Sequence, residues 1–130
     1  MEIELTRAVH AQLLEDAALR APDEACGLLL GREGIEELRP CANVHSAPSS
    51  HFEIEPQALI DAYRAARQGG LKVIGYYHSH PQGRAEPSAT DRAMASSDGR
   101  VWAIVARETV TFWRDGVQGF EPLSYRLRDG

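Results

Sequence analysis

The sequence predicts an α/β fold in which one curved, mixed β-sheet is flanked by helices. Three observations lead to this prediction. Strand and helix candidates are interspersed along most of the chain, and the last third has the pattern of an antiparallel meander, which curves the sheet. The chain has about three predicted helices and about seven predicted strands, which indicates one sheet with helices packed on its faces.

The first elements are a strand and a helix. Met1 to Leu5 alternates enough for a short strand, and Thr6 is a typical helix N-cap. Apolar residues then repeat every four positions, which predicts a helix to about Arg20, ended by Pro22.

A hairpin and a short strand come next. The apolar run Cys26–Gly31 is bounded by glycines and predicts a buried strand. Glu36 to Cys41 is expected to pair with it across the turn at Arg32–Gly34. After a polar, turn-rich segment, a short strand is expected at His51–Ile54.

The middle of the chain predicts two further helices around a central strand. Pro56 suits the first turn of the second helix, which Gly69-Gly70 ends. Lys72–Tyr77 is a central-strand candidate that runs directly into His78-Ser79-His80. After a loop, Ser88 begins the third helix.

The C-terminal third predicts the meander. Its strands are Val101–Ala106, Val110–Trp113 and Gly119–Tyr125. We expect them to turn at Arg107-Glu108 and at Asp115-Gly116.

Size and charge narrow the class of protein. A chain of 130 residues is expected to form one domain, residues 1–130, and can bury a core without disulfides. The net charge of -5 argues against a nucleic-acid binder and against a membrane-surface protein. Two cysteines are too few for a zinc ribbon, and the first ten residues lack a signal-peptide pattern. We therefore expect a cytoplasmic protein.

The segment from His78 to Asp91 carries the clearest chemical pattern. His78 and His80 lie two apart at the end of a predicted strand, so both imidazoles can converge on one ion. Ser88 and Asp91 lie three apart at a helix start and also share a face. The seven-residue loop between His80 and Ser88 can return Asp91 to the histidine pair.

Two imidazoles and one carboxylate form a site with three protein ligands and an open position, which is typical of catalytic zinc. Water in that position has its pKa lowered to about 7, which provides hydroxide near neutral pH. Non-haem iron sites use the same ligand types, so ligand chemistry alone leaves the metal open.

Two further residues can complete such a site, and each has an alternative interpretation. Ser88 can donate to a developing oxyanion, although Ser88-x-x-Asp91 is also an ordinary N-terminal capping pattern. Glu24 precedes the apolar strand and can shuttle protons, although its position alone is more typical of a surface acid. Cys26, in an apolar run, is more simply a buried hydrophobe than a nucleophile.

Taken together, Glu24, His78-x-His80 and Ser88-x-x-Asp91 resemble the signature of the JAMM (MPN+, Mov34/PAD-1) zinc metallopeptidases. The resemblance implies that His78, His80 and Asp91 bind one Zn²⁺ per chain. It implies that Glu24 is the general base and acid, and that Ser88 stabilises the oxyanion. The fold implied is the cytidine-deaminase-like (JAB1/MPN) architecture.

Within that family, the stretch Pro22 to Gly27 is similar to compact bacterial members that release cysteine from a sulfur-carrier protein. The resemblance implies a hydrolase that cleaves an amide or isopeptide bond after the C-terminal tail, commonly Gly-Gly, of a ubiquitin-like or sulfur-carrier protein. The alternative is a non-catalytic MPN-type module that only binds protein. A zinc nucleoside deaminase is disfavoured because the chain has no C-x-x-C.

Overall fold

Seven strands and three helices form the part of the chain that the computed structural model describes, residues 2–129. The elements follow one another as β1 (Glu2–Thr6), α1 (Arg7–Arg20), β2 (Cys26–Gly31), β3 (Glu37–Cys41), α2 (Pro56–Arg67), β4 (Lys72–Ser79), α3 (Ala89–Met94), β5 (Val101–Ala106), β6 (Thr109–Gly116) and β7 (Gly119–Arg128). Met1, part of the predicted first strand, lies outside the described residues.

The strands form one mixed sheet in the order β1-β7-β6-β5-β4-β2-β3. β1 runs parallel to β7 and β4 runs parallel to β5, whereas the remaining neighbours are antiparallel. The sheet curls until its two ends meet, because Leu5 of β1 bridges to Ile35 in the β2–β3 connection. The curled mixed sheet with flanking helices confirms the predicted fold class.

Each face of the sheet has its own apolar core. Val9, Leu13 and Ala17 of α1 pack on one face, where the strands contribute buried side chains such as Leu29 and Phe112. The second face carries a separate cluster with α2, made of Cys26, Leu28, Leu30, Cys41, Phe52, Ile54, Ala62, Val73 and Trp102. Alternate residues of β2 point to opposite faces, so this one strand contributes to both cores.

The observed starts of α1 and α2 agree with those predicted from the sequence. The Thr6 side chain accepts a hydrogen bond from the Val9 amide at 3.1 Å, which is the N-cap predicted for α1. Pro56 occupies the first turn of α2, whose N-cap is Glu55. No helix within residues 2–129 is long and apolar enough to cross a membrane.

Two local predictions are wrong. His51–Ile54 is not a strand, because only Ile54 forms a bridge, to Asn43. The Asn43 side chain takes the place of a partner strand: it binds the His51 carbonyl at 2.9 Å and the Glu53 amide at 3.0 Å.

The second wrong prediction is the position of the last meander turn. Asp115 and Gly116 belong to β6 and pair with Phe120 and Gly119, so the turn follows them. The Asp115 carboxylate is buried, and it accepts hydrogen bonds from the amides of Ser96 and Ser97 at 3.0 and 3.1 Å. A residue with that role lies inside the fold and not at a turn.

A buried polar contact ties α1 to the central strand. Tyr77 of β4 is fully buried, and its hydroxyl donates a hydrogen bond to the Asp16 carboxylate of α1. Asp16 also pairs with Arg20 one turn later, at 3.5 Å. A buried carboxylate that loses a partner costs its desolvation free energy, so this contact fixes how α1 lies on the sheet.

We expect Tyr77→Phe to lower the free energy of unfolding by about 1–3 kcal/mol, because it leaves the buried Asp16 carboxylate without its hydroxyl partner. Urea denaturation followed by circular dichroism measures the change. Tyr125→Phe, at the surface, is the matched control and is expected to unfold like the wild type. Equal stability of the Tyr77→Phe and wild-type proteins would contradict the interpretation.

Candidate active site

The candidate site lies where β2 begins and β4 ends. The antiparallel register sets Cys26 opposite His78, so Glu24 lies beside the strand end that carries both histidines. Reciprocal hydrogen bonds continue the pairing beyond Cys26: the Ser79 amide donates to the Ala25 carbonyl at 3.0 Å, and the Ala25 amide donates to Ser79 Oγ at 2.8 Å. The two segments are thus held together at the site itself.

His78, His80 and Asp91 converge on one point. The two histidine Nε2 atoms are 3.0 Å apart. His78 Nε2 is 3.0 Å from Asp91 Oδ1, and His80 Nε2 is 3.1 Å from Asp91 Oδ2. All three side chains are buried, with exposed fractions of 0%, 8% and 3%. The structure therefore brings together all three residues that the sequence nominated as metal ligands.

This arrangement fits a zinc ion. Ligand atoms at 2.0–2.1 Å from a tetrahedral zinc lie roughly 3.3 Å from one another, close to the separations seen here. His80 Nδ1 donates to the Arg84 carbonyl at 2.7 Å, which leaves Nε2 as the nitrogen of that ring that would bind a metal. The Phe52 ring stacks on His78 at 4.4 Å between centroids and holds that imidazole in place.

Glu24 stands next to this triad. Its carboxylate and the two histidine nitrogens lie within 4.8 Å of one another, so these three side chains form a group that could hold a metal ion. Asp91 makes the closer contacts to both imidazoles, at 3.0–3.1 Å. Glu24 is only 7% exposed. Burial raises its pKa to about 7, although His80 lowers the pKa and Asp91 raises it further.

The triad has an uneven distribution of charge. Burial lowers the pKa of His78, which favours the neutral imidazole that a metal requires. Burial alone would raise the pKa of Asp91, but hydrogen bonds with His78 and His80 outweigh it and hold that pKa far below its usual range. Asp91 is therefore an anion, and two imidazoles surround it.

Ser88 has the structural role that its alternative interpretation predicts. Its Oγ accepts a hydrogen bond from the Asp91 amide at 3.0 Å, and Asp91 Oδ2 accepts one from the Ser88 amide at 2.9 Å. These two bonds form a capping box at the start of α3. The hydroxyl proton of Ser88 is not used by either bond, so capping leaves Ser88 able to donate.

A cleft of about 330 Å³ opens onto the site. It is lined by Glu24, His80 and Ser88 from the nominated set, by Thr90 of α3, and by residues of two loops: Ser49, Ser50, Pro81, Gln82, Gly83, Arg84, Glu86 and Pro87. Glu24, His80 and Ser88 thus face one common space.

Sequence reasoning gave no role to Ser79, which lies between the two histidines. It is 2% exposed and bonds to the segment that carries Glu24. The sequence did contain a signal for a structural role, because alternation along the strand directs the Ser79 side chain away from the face that carries the histidines. Cys26 is fully buried, and burial raises the pKa of its thiol to about 12, which excludes it as a nucleophile near neutral pH.

Residues 6–116 match the family described as prokaryotic homologs of the JAB domain. A "Probable TtuB-protein conjugate cleaving protease" of Thermus thermophilus is 36% identical over 89% of this chain and 70% of its own length. A "Desampylase" of Haloferax volcanii is 37% identical over 73% of this chain and 69% of its own length. A "CysO-cysteine peptidase" of Mycobacterium tuberculosis is 30% identical, covering 84% and 71%.

Solved structures share the fold. The solution structure of a Desulfitobacterium hafniense protein superposes with a TM-score of 0.85 at 27% identity, covering 100% of this chain and 94% of that one. A structure described as "JAMM: A Metalloprotease-like Zinc Site in the Proteasome and Signalosome" gives a TM-score of 0.61 at 18% identity, covering 99% and 100%. The architecture is thus that of the JAMM fold.

Glu24 makes the stability of the metal-free protein depend on pH. Its pKa is about 7 in the folded protein, against an ordinary value of 4.5 for a solvated glutamate, so between these values the folded protein retains a proton that the unfolded chain has lost. Stability conferred by the protonated carboxyl is complete below pH 4.5 and is lost as the pH rises through about 7.

We expect metal-free Glu24→Gln to be as stable as the wild type near pH 4.5 and more stable at about pH 8, by at most about 3 kcal/mol. Urea titrations at several pH values measure the difference. Glu33→Gln, an exposed acid in the β2–β3 turn, is expected to follow the wild type throughout. A stability difference that does not change with pH would contradict the buried, protonated state of Glu24.

We expect Asp91→Asn to lower bound zinc from about one ion per chain to well below one, because a neutral amide is a weak zinc ligand. Metal analysis after dialysis measures the stoichiometry, and thermal unfolding of the metal-free variant checks the fold. Asp61→Asn, an exposed position on α2, is the control. Full zinc content in folded Asp91→Asn would remove Asp91 from the ligand set and leave Glu24 with the histidines.

Proposed function

The chain belongs to the prokaryotic homologs of the JAB domain and is a JAMM-type hydrolase, and we propose that it cleaves the amide or isopeptide bond after the C-terminal tail of a ubiquitin-like or sulfur-carrier protein. One observation carries this proposal: four side chains from three separate segments, Glu24, His78, His80 and Asp91, meet at the end of one cleft.

The proposed metal ligands are His78 Nε2, His80 Nε2 and the Asp91 carboxylate. Their mutual distances of 3.0–3.1 Å and their burial support a small ion with nitrogen and oxygen ligands, and we propose Zn²⁺. When bound, zinc supplies a Lewis acid that polarises a carbonyl and lowers the pKa of water. The Arg84 carbonyl and the Phe52 ring keep the two imidazoles oriented for this task.

Glu24 is the proposed general base and acid. A carboxyl group whose pKa is about 7 accepts a proton and returns it with similar ease near neutral pH, which is the best compromise for a group that does both. Burial beside the histidines raises the pKa of Glu24 to this value. The proposed mechanism involves no covalent enzyme intermediate. The proton taken from the attacking water is delivered to the leaving amine.

Ser88 is the proposed donor to the oxyanion. Its Oγ is fixed by the Asp91 amide at 3.0 Å, and its hydroxyl faces the same cleft as Glu24 and His80. A donor that is already oriented by a helix cap needs little reorganisation when charge develops on the carbonyl oxygen. The capping and catalytic roles of Ser88 are thus compatible.

The substrate is proposed from relatives. Proteins named for cleaving a TtuB conjugate, for desampylation and for acting on CysO-cysteine each align over more than 70% of this chain. We propose that their shared substrate class, a carrier protein joined through its C-terminal tail, applies here, and that the enzyme acts in the cytoplasm. A cleft bounded by the 81–87 loop and by Ser49 and Ser50 leaves room for a narrow Gly-Gly tail.

A non-catalytic binding module is the alternative, and it has no need of a buried acid beside the metal ligands. Retention of Glu24 at 7% exposure, with a pKa of about 7, favours hydrolysis. Such an acid destabilises the metal-free protein near neutral pH, and a module that only binds protein has no step that requires it.

We expect the wild-type protein to cleave tail-extended or cysteine-loaded carrier proteins from the same source, and to lose this activity with a chelator. Glu24→Gln is expected to retain about one zinc per chain and to lose at least about 100-fold in kcat, because the proton carrier is removed. Mass spectrometry of the products identifies the bond that is cut.

Glu33→Gln is the control and is expected to retain wild-type activity, because this acid is exposed in the β2–β3 turn. Full hydrolysis by Glu24→Gln would exclude Glu24 as the proton carrier. A wild-type protein that binds zinc and carriers but cleaves none of them would favour the binding module.

A further inference from the structure

The Asn43 side chain lies behind Glu24 and donates hydrogen bonds to two separate segments. Its Nδ2 atom is 3.0 Å from the Glu24 carbonyl and 2.9 Å from the His51 carbonyl. A third carbonyl, that of Pro48, lies at 3.4 Å. The amide group thus joins the backbone of the proposed proton carrier to the loop that follows β3.

The acceptor side of the same amide is also used. Asn43 Oδ1 accepts hydrogen bonds from the His45 amide at 3.1 Å and from the Glu53 amide at 3.0 Å. Only N–H groups surround Oδ1, and only carbonyls surround Nδ2. The identity of the two amide atoms is therefore fixed by their neighbours, and an acid in this position would set a carboxylate oxygen against carbonyl oxygens.

Glu24 depends on contacts of this kind because it lies outside the helices and strands, between α1 and β2. Its amide donates to the Pro48 carbonyl at 2.7 Å, and its carbonyl accepts from Asn43. The next residue, Ala25, is bonded to Ser79 of β4. Asn43 therefore holds the Glu24 backbone at its carbonyl, and Ser79 holds the residue that follows.

We propose that Asn43 is a positioning residue, which sets where the Glu24 carboxylate stands relative to His78 and His80. The inference rests on the proposed function, which gives Glu24 the proton transfer. Asn43 does not line the cleft, and no hydrogen bond joins it to His78 or His80, so its effect on the site passes through the Glu24 backbone. A displacement of about 1 Å in a reacting group lowers a rate by up to about 100-fold.

The test is Asn43→Asp, which keeps the shape of the side chain and removes both N–H donors. We expect kcat to fall by about 10- to 100-fold, because Glu24 is no longer held at its reacting position. KM is expected to change less than about threefold, because Asn43 does not itself line the cleft. Zinc content is expected to stay at the wild-type value. The matched control is Val44→Ala, a half-exposed neighbour in the same loop, which we expect to keep wild-type kinetics.

Amide hydrogen exchange of the zinc-free protein provides a readout that does not need activity. In Asn43→Asp the Glu24 and Ala25 amides are expected to exchange at least about tenfold faster, whereas Ile104 in the core of β5 is expected to be unchanged. A purely structural role of Asn43 would instead accelerate exchange across the whole sheet.

A kcat within about threefold of the wild type, or unchanged exchange at Glu24, would overturn the inference. If the wild-type protein cleaves no carrier conjugate, it is the proposed function that fails, and hydrogen exchange alone then decides the role of Asn43. If Asn43→Asp is not recovered folded, Asn43→Ser replaces it under the same criteria, because serine removes the amide donors without adding charge.

Discussion

The antiparallel pairing of β2 with β4 is the constraint on which the site depends. It brings Ala25 and Ser79 together across 54 positions of the chain, and with them Glu24 and the two histidines. The close approach of the strands needs small residues. A Cβ at Gly75 would lie 1.8 Å from the Val101 carbonyl oxygen of β5, and one at Gly27 would lie 2.5 Å from the Arg39 carbonyl oxygen of β3. The glycines thus permit β4 to lie against β5 and β2 to lie against β3.

Asp91 combines a structural role at the start of a helix with its proposed role as a metal ligand. Its Oδ2 accepts the Ser88 amide and so begins α3, and the same atom lies 3.1 Å from both His78 Nε2 and His80 Nε2. One carboxylate therefore terminates a loop, caps a helix and balances two imidazoles. The buried charge is tolerated because three hydrogen-bonding groups surround it.

Much of this could be predicted from the sequence, because the relevant signals are local. Periodicity and caps give α1 and the start of α3, and alternation continued past the end of β4 places His78 and His80 on one face. The choice of Glu24 is different. Its position before an apolar strand is also that of a surface acid, and the strand register, a non-local property, brings it to the histidines.

Asn43 shows a second limit of prediction from the sequence. All its partners are backbone groups of other residues, and such bonds leave no residue type in the sequence by which to find them. The error at His51–Ile54 has the same origin, because the Asn43 amide occupies the groups that a strand partner would take. The error at Asp115 arises because Asp-Gly is typical of a turn, whereas the burial of its carboxylate depends on Ser96 and Ser97, which lie far away in sequence.

The contact between the two ends of the sheet has a consequence for solubility. The Thr6 amide donates to the Ile35 carbonyl at 3.1 Å, and the Ile35 amide donates to the Glu4 carbonyl at 2.9 Å, so each end satisfies backbone groups of the other. The remaining edge, β3, is five residues long and contains Pro40, which has no amide proton. Open strand edges are where folded chains recruit one another into aggregates. A sheet that nearly closes on itself leaves little backbone for such recruitment, even when the protein is concentrated.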